Sequence, residues 1–224
     1  MSSWTEEARR RLYALSSADT GSIDRRLHWF PNLGVGWYPV HDEEDYGPEY
    51  FDKYVSYETM PTGKGINEYR SKFVDLHHSG PVVDIGIGCG SFIKRHGFRR
   101  CSGYDVGSKS SEWLKGNGLW LDPYSCGSVS AITCWDSFEH IRDYRPLLAK
   151  VAGWAFMSMP IYIDEYHASK SKHFRPTEHW WYFTHEGLVG MMSSHGFSLV
   201  GYGRGEELCG REDIKTYAFR RVLG

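Results

Sequence analysis

Val82-Val83-Asp84-Ile85-Gly86-Ile87-Gly88-Cys89-Gly90-Ser91-Phe92 is an apolar run of strand length that passes into a glycine-rich turn and then into a helical segment. Glycine takes left-handed backbone angles without strain and lets a chain approach a ligand closely. A turn of this kind aims the free N–H groups of the following helix at whatever binds there. The spacing is G-x-G-x-G, not the G-x-G-x-x-G of the dinucleotide fingerprint. A second strand, Cys101-Ser102-Gly103-Tyr104-Asp105-Val106, carries an acid 19 positions after Gly86. A carboxylate there can accept both hydroxyls of a ribose. Strand, turn and acid together point to a nucleoside cofactor. The competing reading is a plain tight turn, with Asp105 capping the next helix.

Outward from this stretch, short apolar strands alternate with amphipathic helices, the pattern of a mostly parallel sheet. Strands are predicted at Pro81–Ile85, Cys101–Val106, Ala131–Trp135, Trp154–Met159, Ser198–Tyr202 and Thr216–Arg221, with a short irregular one near Gly118–Asp122. Helices fit at about 91–97, 110–116, 138–150 and 185–195. Too few residues separate the final two strands for a helical crossover, so these should run antiparallel. The expected fold is a Rossmann-like α/β domain with a seven-stranded sheet, over residues 64–224. Residues 1–63 read as a cap and docking segment of the same single domain. Within it a helix is expected over Trp4–Leu15, with Ser3 and Glu6 as a capping box. An irregular connection follows over 16–48, and then an aromatic stripe at Tyr50, Phe51, Tyr54 and Tyr57. A second helix is predicted from Lys64 to His77.

The 224 residues hold 26 Lys and Arg against 28 Asp and Glu, a formal charge of −2. That balance lacks the basic field of a protein that grips nucleic acid by its phosphates. Five cysteines, with no C-x-x-C pair, indicate neither a disulfide framework nor a zinc ribbon. The chain carries no apolar run of membrane-spanning length and no signal-peptide pattern, which fits a soluble, cytoplasmic protein. Aromatic residues reach 16%, concentrated at 29–57 and 180–183, outside the glycine motif.

On these residues the sequence resembles class I S-adenosylmethionine-dependent methyltransferases. DIGIGCG (84–90) is similar to their first motif and GYDV (103–106) to their second. Ala131-Ile132-Thr133-Cys134-Trp135-Asp136-Ser137-Phe138-Glu139-His140-Ile141 resembles the fourth-strand segment of the ubiquinone-biosynthesis O-methyltransferase branch, and Ile66-Asn67-Glu68-Tyr69-Arg70 its N-x-x-R helix. The resemblance spans about residues 64–203. It implies S-adenosyl-L-methionine as cofactor, with Asp84, Gly86, Gly88 and Gly90 around its methionine part and Arg70 on its carboxylate. Asp105 would hold the ribose, Asp122 the adenine amino group, and Trp135 the edge after the fourth strand.

Asp136, Glu139 and His140 form a D-x-x-E-H cluster past a strand end. On a helix starting near 136 they would share one face and converge on a divalent cation such as Mg²⁺, or on an acceptor hydroxyl. Similar E-x-x-E-H clusters in some ubiquinone-pathway and small-RNA 2′-O-methyltransferases hold a metal with a later histidine. Here the matching segment, Arg175-Pro176-Thr177-Glu178-His179-Trp180-Trp181-Tyr182-Phe183-Thr184, supplies His179. His140, His179 and Glu139 are thus the candidate acid–base groups. The long stretch from Pro160 to Thr184, with Lys170, Lys172, His173 and Arg175, is the expected acceptor region. The leading expectation is O-methylation of a small-molecule hydroxyl. RNA ribose or base methylation and non-catalytic cofactor binding are the alternatives; the acceptor and the oligomeric state are not legible.

Overall fold

The computed structural model describes residues 4–40 and 48–222. α1 (Glu6–Ser17) is followed by a hairpin of β1 (His28–Phe30) and β2 (Val35–Trp37), then by α2 (Pro48–Thr59) and α3 (Pro61–His77). The alternating part runs β3 (Val82–Ile85), α4 (Ser91–His96), β4 (Cys101–Tyr104), α5 (Ser108–Gly116), β5 (Val129–Trp135), α6 (Arg145–Lys150), β6 (Val151–Tyr162), α7 (Glu165–Lys170), β7 (Trp181–Thr184), α8 (His185–Ser194), β8 (Phe197–Gly203), α9 (Gly205–Leu208) and β9 (Ile214–Arg221). Among the described residues no helix is long and apolar enough to cross a membrane. The five cysteines form no disulfide.

The central sheet runs β4-β3-β5-β6 in parallel, then β9 antiparallel, then β8. A single parallel bridge from Trp120 to Gly103 marks the short strand expected near 118–122. Those seven positions match the predicted sheet. Three more strands were not anticipated: β1 pairs with β2, β2 with β7, and β7 with β6, which with the six strands above makes nine. The connection expected over 16–48 therefore contributes an ordered hairpin to the sheet. Its three-residue strands carry no readable alternation, and β7, the partner of β2, lies about 145 residues further on, so only tertiary pairing defines them. Gly34, at φ +65°, makes the turn.

Where β7 joins decides the geometry of the site. Asp136 N donates to Ser158 O on the β5 edge of β6, whereas Ile161 N donates to Asp213 O on the opposite edge. Alternate residues of a strand face alternate edges, so the pairing of Ile161 and Tyr162 with β7 falls on the β5 side, beyond the end of β5. The segment after β5 is held between them, with Trp180 N donating to Glu139 O.

Helices cover both faces of the sheet. On one side α1, α6 and α8 bring Leu12, Leu147, Leu148, Leu188 and Met191 against Ile132, Met157 and Phe219. On the other, α3, α4 and α5 bring Val74, Phe92, Ile93 and Leu114 against Val82, Ala131 and Phe156. This is the layered arrangement by which a parallel sheet buries both faces. α1 is capped by Thr5, whose side chain accepts from Ala8 N, two residues later than predicted; Ser3 lies outside the described residues. α3 begins at Pro61, pre-set for a first helical turn, not at Lys64.

The helix predicted over 138–150 is broken. A single 3-10 turn covers Phe138–His140, and α6 starts only at Arg145. Pro146 suits a first turn but cannot be helical further in, since its ring would clash with the carbonyl of Arg142. Trp181 Nε1 uses that carbonyl and the Ile141 one as acceptors. The aromatic run 180–183, expected as an acceptor wall, is instead core: Trp181, Tyr182 and Phe183 are buried in β7, and Trp180 alone of the four reaches the cavity described next.

Candidate active site

A cavity of about 490 Å³ opens at the carboxyl ends of β3, β4 and β5. Its floor is the glycine turn. Gly86, Gly88 and Gly90 all have positive φ, at +73°, +56° and +75°, angles an L side chain adopts only with strain. A Cβ at Gly86 would sit 2.6 Å from the Ser137 Cβ, and one at Gly90 2.5 Å from the Trp113 ring. At Gly88 nothing is nearer than Tyr54, at 3.6 Å. Tyr54 of α2 thus packs over the turn and lines the cavity; the Tyr50 side chain lies outside the described residues.

Asp105 lines the cavity and ties the two strands together. Its carboxylate accepts from Gly88 N at 3.2 Å and from Gly107 N at 2.8 Å. The carboxylate thus braces the glycine turn and the backbone just ahead of α5, whose N-cap, Gly107, receives no side-chain cap. Burial raises its pKa, against the pull of those N–H groups. Asp84 is buried, accepts from Thr133 Oγ1 at 2.7 Å, and also lines the cavity. Burial pushes its carboxyl up to about 7.

Arg70, from α3, reaches the same cavity but is already engaged. Nε donates to Glu206 at 2.8 Å, and Nη2 to Asp136 at 2.7 Å, Glu206 at 3.0 Å and Ser158 at 3.1 Å. Nη1 makes no hydrogen bond among the described residues. Burial opposes the charge of Arg70, yet Glu206 and Asp136 outweigh it and raise its pKa. Arg211 also pairs with Asp136, at 2.8 and 2.9 Å. Burial alone would raise Asp136, but Arg211 and Arg70 hold it well below the usual carboxylate range.

His140 lines the far wall, and behind it Glu139 and His179, which do not line the cavity, bring their ligating atoms within 4.8 Å of its ring and of one another. The two imidazole rings meet edge to face at 4.7 Å. Burial pushes His140 down to about 4 and, with His140 beside it, holds His179 well below its ordinary value. Glu139 Oε2 is buried and has no partner among the described residues. Burial, and then the Asp136 charge, hold Glu139 well above the usual range. Two neutral imidazoles and an unpaired buried carboxyl are a donor set suited to a divalent cation.

Solved structures with the same architecture accompany these observations. ChlM, the magnesium protoporphyrin IX methyltransferase of Synechocystis, solved with S-adenosylhomocysteine bound, superposes with a TM-score of 0.57 at 12% identity, over 79% of this chain and 96% of that one. The class I methyltransferase fold is the fold of this chain. A SAM-dependent methyltransferase of Thermotoga maritima (TM-score 0.55, 14% identity, 78% and 97% covered) and the CcbJ methyltransferase of Streptomyces caelestis (0.55, 11%, 82% and 100%) are similar to the same extent. No protein-family model and no curated protein sequence matches the chain.

In this class I methyltransferase fold, Arg70, Asp84, Gly86, Gly88, Asp105, Trp135 and Asp136 line one cavity, together with His140. Gly90 starts α4 immediately behind it. Trp135 is packed by Phe92 and by the Arg70 guanidinium, and its buried Nε1 has no partner among the described residues. Two placements differ from expectation. Asp136 does not join Glu139 and His140: its backbone is left-handed, at φ +53°, and its carboxylate turns to the two arginines. His179 takes its place in the cluster. Asp122 does not line the cavity; its carboxylate closes a turn by accepting from Tyr124 N at 2.8 Å, the local bond aspartate makes before a proline turn. Glu206 and Arg211 went unnoticed in the sequence. No motif marks them, and the sole hint is a charged run, Glu206-Glu207…Arg211-Glu212-Asp213, in an otherwise short connection.

Proposed function

We propose that the chain is an S-adenosylmethionine-dependent methyltransferase that O-methylates a small-molecule hydroxyl. The observation that carries the cofactor assignment is the left-handed glycine turn braced by Asp105 at the edge of a cavity whose volume lies within the range of small-ligand sites, about 300–1,000 Å³. The sulfonium makes the methyl group electrophilic by itself. The protein must then align an acceptor with it and keep water out. Tyr54, Ile141 and Trp180 supply apolar cover around the cavity, and the acceptor enters beside His140.

Glu139, His140 and His179 support a hydroxyl acceptor, because an alcohol needs its proton removed whereas an amine lone pair does not. If these three hold a divalent cation, it supplies Lewis-acid activation of that hydroxyl. An RNA acceptor gains no support from the basic loop, where Lys172 pairs with Glu212 and Arg175 with Glu178. Calorimetry with S-adenosylhomocysteine tests the cofactor: micromolar binding is expected, and Asp105→Ala should weaken it at least tenfold, about 1.4 kcal/mol. Binding of NAD in place of S-adenosylhomocysteine overturns the reading. For the cation, activity on a hydroxyl acceptor should fall in EDTA and return with Mg²⁺ or Mn²⁺; full activity in EDTA leaves the three groups as acid–base residues.

A further inference from the structure

Arg70, Asp136, Arg211 and Glu206 close a ring in which each cation touches both anions. Two guanidiniums and two carboxylates give it no net charge. Arg70 and Asp136 line the cavity, whereas Glu206 and Arg211, from α9 and the connection to β9, do not. Glu206 is fully buried. Burying Glu206 and Arg70 and half-burying Asp136 and Arg211 is a poor way to gain stability, since desolvation offsets most of the attraction.

Three features give the ring a ligand-facing purpose. Arg70 spends Nε and Nη2 on four hydrogen bonds to Glu206, Asp136 and Ser158 and leaves Nη1 with none among the described residues. Asp136 holds a left-handed backbone, at φ +53°, that turns its carboxylate onto both arginines at the edge of the cavity. Asn67, one helical turn before Arg70, donates from Nδ2 to Gly63 O and Ser91 Oγ, while its buried Oδ1 has no partner among the described residues. One spare cationic donor, one anion and one spare acceptor therefore border a single part of the cavity.

We infer that Glu206 and Arg211 are positioning residues that fix Arg70 and Asp136 as a docking face for the zwitterionic amino-acid end of the nucleoside ligand. The inference rests on the cofactor reading above. The ligand's carboxylate meets Arg70 Nη1, and its ammonium meets Asp136 and Asn67 Oδ1. A zwitterion brings no net charge to a neutral ring, so it docks without leaving a buried charge uncompensated. Arg211 acts through Asp136, which it grips with both Nη atoms, and Glu206 acts through Arg70.

Titration calorimetry of the full chain with two ligands tests this. S-adenosylhomocysteine carries the amino-acid end; 5′-methylthioadenosine keeps the nucleoside and the thioether and lacks it. Arg211→Met should weaken S-adenosylhomocysteine at least tenfold and leave methylthioadenosine within twofold, so that the preference between them collapses. Arg211→Lys, with the charge but not the fork, should recover part of that preference. If Arg211→Met fails to fold by circular dichroism, Arg211→Lys and Glu206→Gln carry the test, each with at least a threefold loss of preference. An unchanged preference in the folded variants overturns the inference, and so does an equal loss of both ligands, which a merely structural role would produce. Wild-type protein that binds neither ligand overturns the cofactor reading, and the inference with it.

Discussion

At one end of the cavity, the 24 residues from Val82 to Asp105 supply the turn, the acid and the strand pair from adjacent parallel strands. At the other end, where His140 alone of the three reaches the cavity, Glu139 and His140 meet His179 only because β7 joins β6 beyond the end of β5 and carries the preceding residues with it. The first end is local in sequence and anchored by backbone hydrogen bonds. The second is assembled from segments 39 residues apart (179 minus 140) by sheet pairing and aromatic packing. The contrast implies a division of labour: changes at the glycine end should act on cofactor affinity and fold, and changes at the histidine end on methyl transfer alone.

The strongest challenge to that division is His140→Ala together with His179→Ala, measured separately. Each should lower kcat by about 10²–10⁴-fold, the usual range for an acid–base group, while S-adenosylhomocysteine affinity stays within twofold. If either variant loses cofactor affinity in step with kcat, the two ends are one unit and the division fails. Next in size is Gly86→Ala. It puts a side chain at φ +73° and 2.6 Å from Ser137, where the two ends touch. Left-handed strain and overpacking together should cost about 2–4 kcal/mol. Denaturant unfolding would read this, and a loss below about 1 kcal/mol would mean that the turn relaxes and is not a rigid floor.

The same contrast explains what could be read in advance. The glycine turn was legible because its chemistry is contiguous: three glycines with left-handed angles, then an acid one strand later. The alternation of strands and helices from Val82 onward was legible for the same reason, as each element buries its own periodic face. Asp136 was misplaced because spacing along a helix presumes a helix, and Pro146 with the left-handed Asp136 backbone prevents one. β1, β2 and β7 were missed because three or four aromatic residues show no period by themselves. Glu206 and Arg211 were invisible because their cavity-lining partners, Arg70 and Asp136, lie 136 and 75 positions away in sequence.

A smaller effect sharpens the glycine end. Asp84 has its carboxyl raised from the ordinary 3.8 to about 7 by burial, with the Asp105 charge adding to it. A carboxyl with a raised folded-state pKa contributes stability below its unfolded value and loses that contribution as pH climbs through the folded one. The ligand-free protein should therefore lose stability between about pH 4 and 7 on account of this group, by at most about 4 kcal/mol. The ligand's ammonium, docked at Asp136 and Asn67 in the cavity that Asp84 also lines, favours the ionised Asp84 through space and reverses the preference. Cofactor affinity should accordingly rise by up to about tenfold between pH 6 and 8, with proton release on binding. Asp84→Asn should flatten that profile. A wild-type affinity independent of pH over this interval would mean that the bound ammonium does not act on Asp84.

The smallest expected effect separates a turn aspartate from a cofactor ligand. Asp122 accepts from Tyr124 N and does not line the cavity, so Asp122→Asn keeps the same acceptor and should leave S-adenosylhomocysteine affinity within twofold. Asp122→Ala removes the local bond and should cost about 0.5–1.5 kcal/mol of stability, the net value of one hydrogen bond, again with little change in affinity. The two variants differ in what they preserve. A turn role predicts that stability follows the acceptor atom and affinity follows neither. If both variants instead weaken S-adenosylhomocysteine by tenfold while Asp122→Asn keeps its stability, the carboxylate reaches the adenine when the ligand is bound. The turn after Trp120 would then belong to the cofactor end, and that end would extend one strand beyond Asp105.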